Sequence, residues 1–388
     1  MDTTTSSSGR RADPSTLERL GQLQQLLRAD PGNQRLAREC VDLALACGDY
    51  DFVLHRTQQV LSSSPQDLTA SFDRATALIG KREYGKAIGV LREITALQPE
   101  LRAAQINLGL CHYLLAQFAD ARTPLEAAYR AGERSPGVLR LLVSTYHHLG
   151  LMSEAIAIAR ENPQAAAEDA ALAGVYALAY LDANQAQSAA KWAMKALAAD
   201  PNCIDGLTTQ ATLDVSRMHV AHARERFERV LQLSPENGRA WVGLGTLALL
   251  ERNLPRAREL LTRGVELMPT HVGSWLVLAW VHVFSRELDS AEQVLQQAAK
   301  IDRNFSEVQG GFAAVAALRG DVQGAQRGIE VALRLDPKCL SAQFARSVLI
   351  SRSGDPERGR ELIRETVSGL SPGDGSLLSR VLEEAAKQ

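Results

Sequence analysis

Apolar residues recur along this chain at i, i+3, i+4 and i+7, the spacing that lays a stripe along one face of an α-helix. The whole arrangement repeats every 34 residues. Full repeats begin at residues 34, 68, 102, 136, 170, 204, 238, 272, 306 and 340, so ten of them tile residues 34–373 without an insertion. Within a repeat, positions 4, 7, 8 and 11 share one helical face, and positions 20, 24 and 27 share another. Position 20 is alanine or glycine in nine of the ten repeats, Val53 being the exception, and position 8 is small in eight. One small residue on each of two helices predicts a close crossing between them. Larger residues such as Leu108, Leu244, Leu278, Trp241 and Trp275 fill the layer around it. Each repeat is therefore expected to be a helix–turn–helix pair.

Turn residues punctuate the same lattice. Pro31, Pro65, Pro99, Pro201, Pro235, Pro269 and Pro337 all occupy position 32, where proline stops the second helix and restricts the residue before it. Gly48-Asp49, Gly150, Gly320-Asp321 and Gly354-Asp355 mark the middle of their repeats. A period of this length signals a stacked array. The ends are atypical, as arrays require. Residues 1–14 lack apolar periodicity and are expected to be disordered. Residues 15–33 read as a capping half-repeat and 374–388 as a C-terminal capping helix.

Segments such as AWVGLGTLALLERNLPRARELLTRGVELMPT (Ala240 to Thr270) resemble the tetratricopeptide repeat family, over roughly nine-tenths of the chain. The resemblance implies an all-α fold, a right-handed α-solenoid superhelix whose first helices line a concave groove. It also implies that positions 2, 5, 6, 9, 12 and 13 of the first helix are the ones that contact a partner.

Some residues break the lattice. Pro163 falls at position 28, where a second helix should still be running and where proline costs about 3 kcal/mol. The helix is expected to end near Asn162, as a shortened helix or as a bend between repeats 1–4 (34–169) and repeats 5–10 (170–373). Pro124 predicts a kink or a late helix start, whereas Pro255 sits in a first turn, where proline is tolerated. Gly310, Gly311, Gly320, Gly324 and Gly328 predict a locally soft ninth repeat.

Composition narrows the chemistry. A formal net charge of −2 argues against nucleic acid as a partner. No apolar run nears the roughly 18 residues needed to insert in a membrane. Cys40, Cys47, Cys111, Cys203 and Cys339 are scattered, which fits a reducing compartment, and the cytoplasm is expected. Cys203 and Cys339 fall in inter-repeat loops, where a thiol would be open to modification. His219 and His222 are spaced for half a metal site, but the lattice places no third ligand beside them. Ten repeats leave no room for a catalytic domain, and there is no phosphate loop or nucleophile elbow. No catalytic residue, cofactor or metal is assigned, and the chain reads as a non-enzyme.

The groove carries the functional expectation. Its candidate contacts are Ile106, Leu110, Tyr113, Leu114, Arg140 and His147 in repeats 3 and 4. In repeats 7 and 8 they are Val242, Leu249, Leu276, Val277, Trp280, Val283 and Phe284. Exposed, these apolar residues would need a partner; tight packing or the neighbouring repeat could instead bury some of them. Chaperone-binding members of the family pair Lys at position 5 with Asn at position 9. Arg38/Asp42, Phe72/Thr76, Ile106/Leu110 and Arg140/Ser144 do not match, so a chaperone-tail partner is disfavoured. The sequence thus predicts a scaffold or adaptor that binds an amphipathic helix or extended segment of a protein in the groove. The alternative is an assembly or regulatory subunit of an enzyme, envelope or secretion complex, acting through its convex face or ends. Oligomeric state is left open.

Overall fold

The computed structural model describes residues 13–167 and 169–368. The tail expected over 1–14 lies outside these except at its end, and the closing helix expected over 374–388 lies wholly outside. α1 (Pro14–Ala29) precedes the first repeat. Pairs then follow in register: α2 (Gln34–Cys47) with α3 (Tyr50–Ser63), α4 (Leu68–Gly80) with α5 (Tyr84–Leu97), and α6 (Arg102–Leu114) with α7 (Phe118–Arg130). α8 (Pro136–His148) pairs with α9 (Met152–Glu161), α10 (Ala170–Asp182) is followed by α11 (Ala186–Ala199), and α12 (Ile204–Ser216) pairs with α13 (Val220–Leu233). The last pairs are α14 (Gly238–Leu250) with α15 (Leu254–Leu267), α16 (Val272–Phe284) with α17 (Leu288–Ile301), α18 (Ser306–Arg319) with α19 (Val322–Leu335), and α20 (Leu340–Arg352) with α21 (Pro356–Ser368). No strand occurs among the described residues, and every first helix starts where the lattice puts it. The fold is an all-α solenoid of helix pairs.

The turn inside each repeat is a single device used ten times. Position 15 takes a left-handed backbone in every repeat: Gly48, Gly150, Gly320 and Gly354, but also Arg82, Ala116, Asn184, Met218, Arg252 and Arg286. The N–H of position 16 donates to the carbonyl of position 11, from Asp49 to Ala44 at 2.8 Å through to Asp355 to Ile350 at 3.3 Å. This is a Schellman closure, which satisfies carbonyls that the ending helix leaves over. The start of the first helix is capped where the residue allows, by Asn33, Asp67 and Asn237 accepting from the N–H of Leu36, Ala70 and Ala240. In several repeats a long side chain at position 4 ties the repeat to the one before. Trp241 Nε1 donates to the Pro235 carbonyl at 2.8 Å, Trp275 Nε1 to Pro269 at 3.0 Å, and Gln105 to Pro99 at 2.9 Å.

The small residues do what their periodicity implies. Ala87, Ala121, Ala155, Ala189, Ala223, Ala257, Ala291 and Ala325 are fully buried. A Cβ on Gly245 would lie 2.6 Å from Leu261 Cγ, and one on Gly109 would lie 2.5 Å from Leu125 Cγ. Position 8 therefore packs onto position 24 at a distance only a small residue permits.

The chain divides into two compact units, residues 1–175 and 176–388. Unit 1 holds α1 to α9 and the start of α10. Its cores centre on Val41, Ala44 and Val53, and on Leu91, Ile94, Ala104 and Leu108. α9 ends at Glu161, Asn162 caps it, and a turn runs from Pro163 to Ala167. α7 begins at Phe118 and continues through Pro124, so that proline does not delay its helix. Unit 2 holds the remainder of α10 and α11 to α21. One of its cores centres on Leu247, Leu260, Leu261 and Phe227, the other on Trp280, Leu295, Val308 and Ala314. In its ninth repeat Gly310 and Gly311 are points of close approach to α20 and to Leu295.

Candidate partner-binding face

In unit 1 the first helices leave a half-open face. Ile106, Leu110 and Tyr113 on α6 and His147 on α8 are half-buried, Arg140 is exposed, and Leu114 is 47% exposed. α6 and α8 lie side by side. Tyr113 meets Phe118 edge-on with ring centroids 5.5 Å apart, and meets His148 at 6.0 Å. Phe118 stacks on His148 at 4.0 Å with nearly parallel planes. Phe118 belongs with this cluster although it sits on a second helix. Position 17 reaches the last turn of the next first helix, a register that the aromatic run Tyr50, Tyr84 and Phe118 displays in the sequence.

The neighbouring charges in repeats 1 and 2 are consumed internally. Arg38 on α2 pairs with Asp42 on its own helix and with Asp73 on α4 at 2.5 Å. Hydrogen bonding to Asp42 and Asp73 holds the guanidinium charged against the desolvation it suffers. Burial lifts the Asp73 carboxyl above its ordinary value despite Arg38 beside it. Glu39 pairs with Arg19 of α1 at 2.5 Å. This crosslink between successive first helices is invisible in the sequence, because Arg38 and Asp73 lie 35 residues apart and look like separate surface charges.

Unit 2 corrects the expectation for repeats 7 and 8. Val242, Leu249, Leu276, Val277, Trp280 and Val283 are all buried, and Phe284 is partly buried. Trp280 is 2% exposed. Its ring lies 5.6 Å from Phe284 and 5.0 Å, edge-on, from Phe344. Phe344 is on α20, so the contact from α16 passes over α18. The cause is the surface of α18, where Gly310, Ala314 and Ala317 are all buried. A Cβ on Gly310 would stand 2.6 Å from the Ala342 backbone nitrogen, so α20 seats against α18 and brings Phe344 to Trp280. The Trp280 Nε1 is buried without an acceptor among the described residues. A similar bridge crosses α12, where Arg239 on α14 pairs with Asp182 on α10 at 2.5 Å. Thr208 and Thr209 beneath it are buried, with the Thr208 hydroxyl donating to the Ile204 carbonyl at 2.8 Å.

The thiols are also placed differently from expectation. Cys203 and Cys339 end their inter-repeat loops but are buried. Cys339 Sγ donates to the Ser306 carbonyl at 3.4 Å. Burial raises the Cys203 thiol and pushes Cys111 and Cys339 up to about 12, so these are poor nucleophiles at neutral pH. His219 faces Asp214 at 3.6 Å, and the carboxylate also holds Arg226. No cluster of three metal-ligating side chains occurs among the described residues, and no described helix is long and apolar enough to cross a membrane.

Family profiles described as tetratricopeptide repeat match residues 72–136, 220–271 and 248–318. These segments fall on the structural lattice in both units. The chain is a tetratricopeptide repeat protein. No curated protein matches its sequence. Among solved structures it is similar to YrrB, a tetratricopeptide repeat protein with an unusual peptide-binding site, at 14% identity and a TM-score of 0.40 over 47% of this chain and 95% of that one. It is also similar to PilF of Pseudomonas aeruginosa, at 20% identity and a TM-score of 0.35, covering 62% and 95%. A third likeness is to the Cut9–Hcn1 hetero-tetramer of the APC/C, at 12% identity and a TM-score of 0.48, covering 90% and 81%.

Proposed function

We propose that this tetratricopeptide repeat protein is a non-catalytic scaffold that holds a segment of a partner protein on the first-helix face of repeats 3 and 4. One observation carries the reading: side chains at the same lattice positions are half-open in α6 and α8 but packed away in α14 and α16. Ile106, Leu110, Tyr113 and Leu114 offer apolar anchors, and Arg140 and His147 offer polar ones. Large apolar side chains kept partly in water along one face are stabilised when a partner covers them. The scattered cysteines fit a reducing setting, so we place the protein in the cytoplasm.

A second reading concerns unit 2, whose first-helix face is filled. Leu233, Ile301 and Leu335 stay exposed at position 30 of their repeats. Unit 2 would then work through the ends of its second helices, as a subunit of a larger assembly. A photo-crosslinking residue placed at Leu114, and in parallel at Leu335, separates the two. Adducts from Leu114 that map to one contiguous segment of one protein support the first reading. Adducts from Leu335 alone reject it.

A further inference from the structure

From repeat 3 onward the carboxylates of unit 1 are sorted by helix. α6, α8 and residues 170–175 of α10 contain none, while Asp120, Glu126, Glu154 and Glu161 lie on α7 and α9. The only permanently charged residues on those first helices are Arg102 and Arg140. Glu133, whose carboxyl is held below its ordinary value first by hydrogen bonds from Ser135, also feels the charge of Arg102 as a smaller contribution. Arg140 is exposed and makes no ion pair among the described residues. It is therefore a cation on the first-helix face of α8, beside the more apolar α6, with His147 two turns further along the same helix. The contrast with repeats 1 and 2 is direct, since Arg38 on the corresponding face is locked between two carboxylates.

We propose that the occupant of this face is an acidic amphipathic segment, with large apolar residues spaced i, i+3 or i+4 and one or more carboxylates that meet Arg140. This deepens the function proposed above and rests on it. The apolar side chains would cover Leu110, Tyr113 and Leu114. A carboxylate on Arg140 would gain a bidentate, charge-assisted contact that a neutral partner lacks. A basic segment would face Arg140 with no acid to neutralise it, so the face selects against positive partners as well as for negative ones. The same charge attracts an acidic segment from a distance, and this attraction weakens as salt screens it.

The test is selection of a displayed random dodecapeptide library on the full chain, followed by affinity measurements on the enriched peptides. The expected peptides carry at least one carboxylate and two large apolar residues at helical spacing. Their affinity should fall at least tenfold in Arg140→Glu, and by a smaller factor in Arg140→Gln. It should also fall between 50 and 500 mM NaCl. Both substitutions are at an exposed position, and unchanged helical ellipticity confirms that they fold. If the peptides are neutral or basic, or bind Arg140→Glu unchanged while Leu110→Ala abolishes binding, the acidic assignment is wrong and the face itself stands. If binding survives Leu110→Ala and Tyr113→Ala together, or no peptide is enriched, the face is wrong and both proposals fail.

Discussion

At the scale of single residues, the left-handed position 15 is the clearest point of unused stability. Ala116 holds φ at +56° at an exposed turn, where an L-residue pays about 1–2 kcal/mol that glycine does not. Glycine's greater unfolded freedom takes back part of this. Ala116→Gly should therefore stabilise unit 1 by about 0.5–1 kcal/mol, read as a higher urea midpoint at unchanged slope. A lower midpoint would show that the turn is not limited by its backbone. The buried thiols make a second prediction. Cys111 and Cys339 ordinarily ionise near 9 but are pushed up to about 12 in the folded chain. Between those values the folded state binds more protons than the unfolded one. Stability present below pH 9 should accordingly fall as pH rises, by up to about 1.4 kcal/mol per pH unit for each thiol. Urea midpoints at pH 8 and pH 10 measure this, and Cys111→Ala with Cys339→Ala should flatten the slope. Position 15 was partly legible, since four of its ten residues are glycine. The thiols were not, because a loop position says nothing about which way its side chain turns.

At the scale of elements, the decisive contact is the one made by α16 with α20. Trp280 occupies a lattice position that the family resemblance assigns to partner contact, yet it packs on Phe284 and Phe344 and is nearly sealed. Trp280→Ala should therefore act as a core truncation, lowering the stability of unit 2 by about 3–5 kcal/mol. Trp280→Phe keeps most of the volume and removes an indole N–H that has no acceptor among the described residues, so it should cost under about 1.5 kcal/mol. Thermal unfolding of the two variants checks the pair. If Trp280→Ala is as stable as the parent, the packing against Phe344 contributes nothing. The helices themselves were readable because amphipathic periodicity and position-32 prolines are local signals. The burial of Trp280 was not, because it depends on how closely α20 approaches α18, and that approach is set by Gly310, Ala314 and Ala317 in the next repeat, with Phe344 arriving from the one after.

At the scale of the whole molecule, the chain divides into units with separate cores, and the break in helix regularity lies just ahead of the division. α9 is ten residues long where its counterparts run to 13 or 14, and Pro163 follows its cap. A repeat array is held together by nearest-neighbour interfaces, so a shortened helix is the expected weak link. Limited proteolysis should cut first between Asn162 and Asp169, releasing two helical fragments. Uniform resistance there, with a single sharp unfolding transition, would instead describe one continuous array. The 34-residue period by itself determined the helix boundaries, the close crossings at positions 8 and 20, and the turn between each pair of helices, since all of these depend on residues within one repeat. Only the tertiary structure decided which first-helix faces are open. Opening is settled by distances between helices one and two repeats apart, and those distances follow from the sizes of side chains that no local pattern brings together.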